Sequence, residues 1–410
     1  MKTFGGRPEF ARVSRFGLSL RAASLFALSL LFFAQVCLAQ QSPAPRTVDL
    51  TAPDGTILKA TFFAAAKPGP GVLLLHQCNR DRRAWDGLAQ SLSAAGINVL
   101  TFDFRGFGES GGTSWKNLDA AAIDRIQTEK WPGDVDTAFQ FLIAQPGVDA
   151  ARLGAGGASC GVEEAVQLAR RHPQVKSLVL LSEIAEPNGR AFLRSNPQMP
   201  MFLAVADDDP DRGVAELMEW MFTLSANPIS HIERYPTGKH GVEMFEAHPE
   251  LPVKIVEWWS GVLQSRPGAT ISIGALTTPQ QSRLLDWMDR PGGAEKDAEI
   301  LEQMQKLDPN AEWLPEGTVN RIGYEHLLAG DAKVAVEIFK LNVLAYPGSA
   351  NVYDSLGDAY LVAGEKEMAL ASAKKALEML ATDTKDSDQV RKGIQQNAEF
   401  KVNKLTAPAK

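Results

Sequence analysis

Residues 152–171, RLGAGGASCGVEEAVQLARR, are the stretch of sequence that decides the fold. The first five of them, 152–156, have the apolar and glycine content of a buried strand, and the last eleven, 161–171, have the composition of a helix. A short segment flanked by glycines, GASCG at 157–161, joins the two. Strand, tight turn and helix in direct succession form the unit from which parallel α/β sheets are built.

The turn has the pattern G-x-S-x-G, with Ser159 at its centre. After a buried strand and before a helix, this pattern is typical of a nucleophile elbow, in which a strained turn lifts the serine clear of the sheet. The positive end of the following helix would favour an oxyanion there. Cys160 does not fit as the nucleophile, because a central cysteine would require glycine at 158, where Ala158 stands. We therefore predict that Ser159 is a nucleophile.

Strand and helix patterns alternate on both sides of this unit. Continuous apolar runs such as VLLL, LVLL and MFLAV predict strands that are buried on both faces. We predict strands at 71–75, 97–102, 177–181, 201–206 and 232–235, and helices at 85–94, 134–144, 213–225 and 249–263. Residues 47–265 are therefore predicted to form an α/β domain, a mainly parallel sheet with helices on both faces.

A serine nucleophile needs a general base, and the base needs an acid to orient it. His240 lies in a loop between two glycines, after a predicted strand and before the last helix. The strand MFLAVA ends in three consecutive aspartates, 207–209, so an acid lies between serine and histidine in chain order. A hairpin-like turn would direct Asp209 toward the histidine loop, and Asp208 is the alternative. We predict Ser159, Asp209 and His240 as a catalytic triad.

Residues 47–265 resemble the α/β-hydrolase superfamily, in particular its dienelactone-hydrolase-like and serine-esterase-like members. Three segments carry the resemblance: LLLHQCNRDRRAWDGLAQSLSAAGINVLTFDFRGFGESGG (73–112), GDVDTAFQFLIAQPGVDAARLGAGGASCGV (133–162) and KHGVEMFEAHPELPVKIVEWW (239–259). The sequence departs from the family at Gln77, where a glycine is usual. It also has serine where the dienelactone enzymes have a cysteine nucleophile, so that specific substrate is not carried over.

The resemblance assigns the oxyanion hole to the backbone N–H groups of Cys160, after the nucleophile, and Cys78, in the loop after the first central strand. Two N–H groups that converge on one oxygen place their Cα atoms within the range of a disulfide. We therefore predict a Cys78–Cys160 disulfide, with two unpaired core cysteines as the alternative.

The N-terminal 21 residues carry five basic side chains and one acidic one, and an apolar run of 15 residues, 22–36, follows. The run is shorter than the roughly 20 residues of a membrane-spanning helix. This pattern predicts a signal peptide over 1–39 that is cut after Ala39, and the alternative is an uncleaved membrane anchor. Residues 40–46 are then predicted to form a linker. We expect a periplasmic or secreted protein that keeps no membrane span. Without residues 1–39 the chain has 42 − 5 = 37 basic and 49 − 1 = 48 acidic side chains, so its net charge becomes −11. This negative charge disfavours nucleic-acid binding.

Strand patterns end near residue 265, and alanine, leucine, glutamate and lysine dominate the rest of the chain. At a period of 34, Ile322 pairs with Leu356 and Gly323 with Gly357, which is typical of tetratricopeptide (TPR) repeats. We predict a linker with a short helix at 266–293 and an all-α TPR-like domain at 294–403. Its repeats would span 316–349 and 350–383, with flanking helices at 294–307 and 387–403. Such repeats would bind a protein partner.

These features predict an exported serine hydrolase that cleaves a small-molecule ester, with an amide or a lactone as further possibilities, through an acyl-enzyme. The alternative is a catalytically silent hydrolase-fold scaffold that acts through its repeats. The sequence contains neither metal-ligand spacing nor a C-x-x-C pair, so we expect no metal and no cofactor.

Overall fold

The structure is a computed structural model that describes residues 42–264, 280–307, 312–382 and 386–407. The predicted signal peptide, its cleavage site and the first half of the predicted linker, 266–279, lie outside these ranges. Contacts divide the chain after Ser42, and the unit that begins at Pro43 contains all the elements described below.

In the described residues, eight strands form one sheet in the order β1-β2-β4-β3-β5-β6-β7-β8. Strands β1 and β2 pair antiparallel with each other, β2 pairs antiparallel with β4, and the remaining pairs are parallel. The strands are β1 Arg46–Thr51, β2 Ile57–Phe63, β3 Gly69–Leu75, β4 Asn98–Phe102, β5 Val148–Ala158, β6 Val175–Leu181, β7 Met201–Ala206 and β8 His231–Tyr235.

Helices cover both faces of the sheet, because the central strands bury alternate residues on each side. Val72 and Leu74 of β3 face one hydrophobic cluster, and Leu73 and Leu75 face the other. The helices of this region are α1 Asp86–Ala94, α2 Ala120–Glu129, α3 Trp131–Ile143, α4 Cys160–Arg171, α5 Pro187–Ser195, α6 Val214–Phe222, α7 Met244–Ala247 and α8 Glu250–Gln264. The predicted α/β architecture is confirmed, including all six predicted parallel strands.

Five of these elements were not predicted from the sequence, namely β1, β2, α2, α5 and α7. Strands β1 and β2 lie at the antiparallel edge. Strand β1 is mostly exposed, with Leu50 buried, and β2 alternates between buried and more exposed positions over most of its length, so neither has the continuous apolar run of the central strands. Helix α2 has no fully buried side chain, and its short apolar face contributes the half-buried Ile126 to the core, so its sequence signal is weak.

The rest of the described chain is helical. It comprises α9 Gln280–Met288, α10 Gly293–Leu307, α11 Glu316–Leu328, α12 Ala332–Ala345, α13 Ala350–Val362, α14 Lys366–Leu380 and α15 Asp388–Thr406. Helices α11 and α13 start 34 residues apart, as do α12 and α14. Helices α11 and α12 pack closely on each other, since a Cβ on Gly323 of α11 would lie 2.6 Å from Phe339 Cε1 of α12.

The helical region shares its core with the sheet region. Leu285 of α9 together with Val319 and Ile322 of α11 belong to the same buried cluster as the side chains of α4 and α6. Helix α9 packs directly on α6. No helix within the described ranges is long and apolar enough to cross a bilayer.

Candidate active site

The turn at Ser159 has the geometry that the sequence predicts. Strand β5 runs to Ala158 and α4 begins at Cys160, so Ser159 alone forms the turn, with φ 51° and ψ −128°. A Cβ on Gly157 would lie 2.0 Å from the carbonyl oxygen of Gly161, and one on Gly161 would lie 2.4 Å from that of Leu75. Both flanking glycines are therefore required by close approach of backbone, and the serine occupies a strained conformation of the kind concentrated at functional sites.

His240 and Asp209 lie together at the carboxyl edge of the parallel strands. The Nδ1 atom of His240 is 2.9 Å from each carboxylate oxygen of Asp209. The Asp209 side chain is 1% exposed and that of His240 is 16% exposed, so the pair is shielded from water on the carboxylate side. A proton on Nδ1 that is donated to Asp209 leaves Nε2 of the neutral imidazole as the basic nitrogen.

The adjacent aspartates have different partners. Asp208 accepts hydrogen bonds from the backbone N–H groups of Gly238 and Lys239, at 2.7 and 2.9 Å. Asp207 pairs with Arg234 at the surface. Of the two acids considered from sequence, the structure places Asp209 against the imidazole and Asp208 against the backbone that precedes it.

Several charges act on the pKa of His240. Burial lowers this pKa, but the hydrogen bond and charge of Asp209, together with the charges of Glu183 and Asp211, outweigh burial and raise it above the ordinary 6.5. By contrast, burial lowers the pKa of His76 at the end of β3, and its Nε2 accepts the N–H of Phe104 at 3.0 Å. His76 is thus a neutral scaffold residue, and His240 is the histidine suited to take up a proton.

The loop after β8 that carries His240, residues 236–241, is called the base loop, and residues 157–161 are the nucleophile turn. The two pack beside each other. A Cβ on Gly241, next to His240, would lie 3.4 Å from the Cβ of Ala158, next to Ser159. Among the hydrogen bonds of the described residues, His240 bonds Asp209 but not the Ser159 hydroxyl. Hydrogen bonds between a nucleophile and its base are often long in the absence of substrate and tighten in the complex.

The loop after β3 is tied covalently to the nucleophile turn. Cys78 and Cys160 form the predicted disulfide, with their Cα atoms 5.9 Å apart. The N–H of Cys160 opens α4, where backbone donors have no partner within the helix. The disulfide thereby fixes the distance between the two residues to which the sequence analysis assigned the oxyanion donors.

Gln77 lies in the loop after β3, the oxyanion loop, and connects it with the base loop. The sequence did not reveal this role. Its fully buried side chain accepts the N–H of Val242 at 2.9 Å and donates to Asn79 Oδ1 at 2.7 Å. The residue that departs from the family glycine therefore has a structural function of its own. Residues 77 and 242 are far apart in the chain, so only the folded structure shows that they meet.

A cavity of about 1010 Å³ opens beside the disulfide. Phe107, Trp115 and Phe245 give it aromatic walls, and Val242 brings it next to the base loop. Trp131 does not line this cavity but is buried and stacks on Phe104, with ring centroids 4.2 Å apart. The volume is at the upper end of the range typical of small-molecule sites.

No group of three or more metal-ligating side chains occurs in the described part of the chain.

Comparison with known proteins identifies relatives of the sheet region. A sequence model of the family described as serine aminopeptidase, S33, matches residues 66–212, which include Ser159 and Asp209. An uncharacterized protein of Mycobacterium tuberculosis (strain H37Rv) is 33% identical over 230 residues, 51% of this chain and 77% of that protein. A thiohydrolase of Aspergillus aculeatus is 27% identical over 146 residues, 35% of this chain and 43% of that protein.

Solved structures with a similar chain path include a Pyrococcus furiosus esterase, at TM-score 0.41 and 19% identity, covering 54% of this chain and 93% of that one. Another is the dienelactone hydrolase of Anabaena variabilis, at TM-score 0.42 and 17% identity, covering 54% and 99%. The residues matched by the family model, 66–212, contain strands β3 to β7 and the strand–turn–helix at Ser159, and the Mycobacterium relative is matched over 77% of its own length. The chain therefore belongs to the α/β-hydrolase superfamily.

Proposed function

We propose that the protein is an exported serine hydrolase that cleaves a carboxylic ester through an acyl-enzyme. The observation that carries the proposal is the contact between His240 and Asp209 at 2.9 Å, at the sheet edge where Ser159 occupies its strained turn. A catalytically silent scaffold has no need of a buried carboxylate that orients an imidazole next to a half-buried serine at a strand end.

The proposed reaction follows from these positions. Ser159 Oγ attacks the ester carbonyl carbon and passes its proton to Nε2 of His240, while Asp209 stabilises the imidazolium. The N–H groups of Cys78 and Cys160 stabilise the oxyanion. The imidazolium then protonates the departing alcohol, and a water molecule activated by His240 hydrolyses the acyl-enzyme. We place esters before amides because an alcohol leaves more readily than an amine.

Hydrolysis of p-nitrophenyl esters of increasing acyl length, with a matching thioester, tests the proposal and ranks the substrates. We expect a burst of p-nitrophenol equal to the enzyme concentration, and its loss in Ser159→Ala. Ser195→Ala is the control, because Ser195 is exposed on α5 and its hydroxyl donates to the carbonyl of Ala191 on the same helix. Folded wild-type protein without activity on the whole panel would favour the silent scaffold.

Export is supported by the N-terminal sequence, and a disulfide agrees with an oxidising compartment. N-terminal sequencing of the protein from a periplasmic or culture fraction tests this part of the proposal. We expect the mature chain to begin at Gln40, and an intact N-terminus would contradict it.

We further propose that the paired C-terminal helices act as TPR-like repeats that bind a protein. Leu328 and Val362, 34 residues apart, end α11 and α13 and are 82% and 60% exposed. Isothermal titration of the Leu328→Asp/Val362→Asp variant with each protein that co-purifies with the wild type tests this. The variant is expected to lose binding to the co-purifying protein while its ester hydrolysis stays unchanged. Equal binding by the variant and the wild type would exclude this surface.

A further inference from the structure

Arg321 lies in the helical region but contacts two loops of the hydrolase fold. Its guanidinium pairs with Glu183, lies 3.0 Å from Asp211 Oδ2, and is also 3.0 Å from Glu325 Oε1 within α11. The side chain is 25% exposed, so it is largely shielded from water. Glu183 follows β6 and Asp211 follows β7, so one residue of the helical region bridges two neighbouring loops at the carboxyl edge of the sheet.

The loop after β7 connects Arg321 to the proposed acid. The backbone N–H of Asp211 donates to Asp209 Oδ1 at 2.9 Å, and Asp209 in turn contacts Nδ1 of His240. The carboxylate of Asp211 is the group held by Arg321. A chain of direct contacts therefore runs from α11 through the loop after β7, residues 207–213, to the imidazole of His240. This loop is called the acid loop.

The loop after β6 connects Arg321 to the nucleophile turn. The carbonyl of Leu181, the last residue of β6, accepts the N–H of Ser159 at 2.9 Å. Ser182 then turns the chain with φ 54° and places Glu183 beside Arg321. The same guanidinium thus restrains the segments that adjoin both the proposed nucleophile and the proposed acid.

Close packing supports these polar contacts. A Cβ on Gly213, at the end of the acid loop, would lie 3.1 Å from Thr318 Oγ1, one turn before Arg321 on α11. Thr318 is 7% exposed, so the surface of α11 that faces the loop is buried. The end of this loop at Gly213 therefore packs directly against the buried face of α11.

We infer that Arg321 is a positioning residue for hydrolysis: it holds the loops after β6 and β7 so that Asp209 keeps its orientation toward His240. On this inference, which rests on the proposed function, the helical region is part of the catalytic unit as well as a candidate surface for partners. Displacement of a reacting or orienting group by about 1 Å can cost up to ~100-fold in rate.

The test compares variants of the full chain. In Arg321→Ala we expect kcat for the preferred p-nitrophenyl ester to fall ~10- to 100-fold with KM within about twofold, because the substrate-binding groups are unchanged. Arg321→Lys should restore part of the rate, since an ammonium can still reach one of the carboxylates. Asp211→Ala, at a 44% exposed side chain, is a second variant that removes the same contact and should also lower kcat.

Arg194→Ala is the matched control. Arg194, on α5, also joins the sheet region to the helical region, through Asp286 at 3.0 Å and Asp289 at 2.8 Å, and its side chain is 20% exposed. The contacts of Arg194 do not include the loop after β6 or the loop after β7, so kcat should stay at the wild-type value. An equal loss of kcat in Arg194→Ala and Arg321→Ala would show general damage to the interface and overturn the inference, as would wild-type kcat in Arg321→Ala.

A readout independent of turnover separates this inference from the proposed function. The proton between His240 and Asp209 should give a low-field proton NMR resonance, identified by its absence in Asp209→Asn. We expect the resonance to weaken or disappear in Arg321→Ala and to persist in Arg194→Ala. If wild-type protein hydrolyses no ester, the proposed function fails, and the resonance still decides whether Arg321 positions the pair: its persistence in Arg321→Ala overturns the inference.

Discussion

The two sides of the candidate active site are held in place by different means. On the nucleophile side, backbone contacts at Gly157 and Gly161 and the Cys78–Cys160 disulfide fix the turn. On the acid–base side, hydrogen bonds and ion pairs from separate elements hold Asp209 and His240, among them those of Asp208, Asp211 and Arg321. The nucleophile side is thus held by a strained turn, close backbone packing and a covalent bond, whereas the acid–base side is held by hydrogen bonds and ion pairs.

The largest effect should separate the two adjacent aspartates of the acid–base side. We expect Asp209→Asn to lower kcat by ~10⁴-fold, because loss of the orienting carboxylate favours the wrong imidazole tautomer. Asp208→Asn should cost far less, since Asp208 contacts backbone N–H groups and not the imidazole. Steady-state ester hydrolysis measures both, with Asp207→Asn as the control at a surface ion pair. Equal losses in the Asp208 and Asp209 variants would contradict the assignment.

The disulfide should dominate the stability of the nucleophile side. The Cys78→Ser/Cys160→Ser variant should lose about 4 kcal/mol of unfolding free energy, because the bond closes a loop of 82 residues in the unfolded chain. Calorimetry should record a Tm lower by roughly 5 °C. Reduction of the wild type should give the same Tm as the variant. A Tm unchanged by either treatment would show that the non-covalent contacts suffice to hold this side.

Gln77 is where the two sides meet, so its loss should affect both to a smaller extent. In Gln77→Ala the buried N–H of Val242 loses its acceptor, which costs about 1–3 kcal/mol of unfolding free energy. Because the base loop is then held less firmly, kcat should fall by ~10-fold. Gln77→Glu keeps an acceptor for Val242 and should retain more stability than Gln77→Ala. If the two variants unfold at the same denaturant concentration, the contact with Val242 is unimportant.

The smallest expected effect concerns the pH dependence set by the acid–base side. His240 must be neutral to accept the serine proton, and its pKa is raised above 6.5 because Asp209 and nearby carboxylates outweigh burial. The value of kcat/KM should therefore rise with pH through a midpoint above 6.5 and be lost as the pH falls below it. NMR titration of His240 should give the same midpoint, and a lower one in Asp209→Asn. A wild-type midpoint below 6.5 would contradict this electrostatic account.

This contrast explains how much could be predicted from the sequence. The central sheet and the turn at Ser159 follow from local patterns, namely apolar runs and a G-x-S-x-G motif between a strand and a helix. The partners of Cys160 and His240 could be predicted because a family resemblance and chain order limit the choice. The roles of Gln77 and Arg321 could not, since their contacts join residues 165 and 110 positions apart, respectively, and no local pattern records such a pairing.

The central claim is that Ser159 becomes covalently modified when the protein hydrolyses an ester. Reaction of the folded protein with a fluorophosphonate, followed by tandem mass spectrometry, tests it most directly. We predict one adduct per chain, located on Ser159 in the peptide around GASCG, and slower labelling in Asp209→Asn. An adduct on a different residue, or none on folded wild-type protein, would contradict the claim.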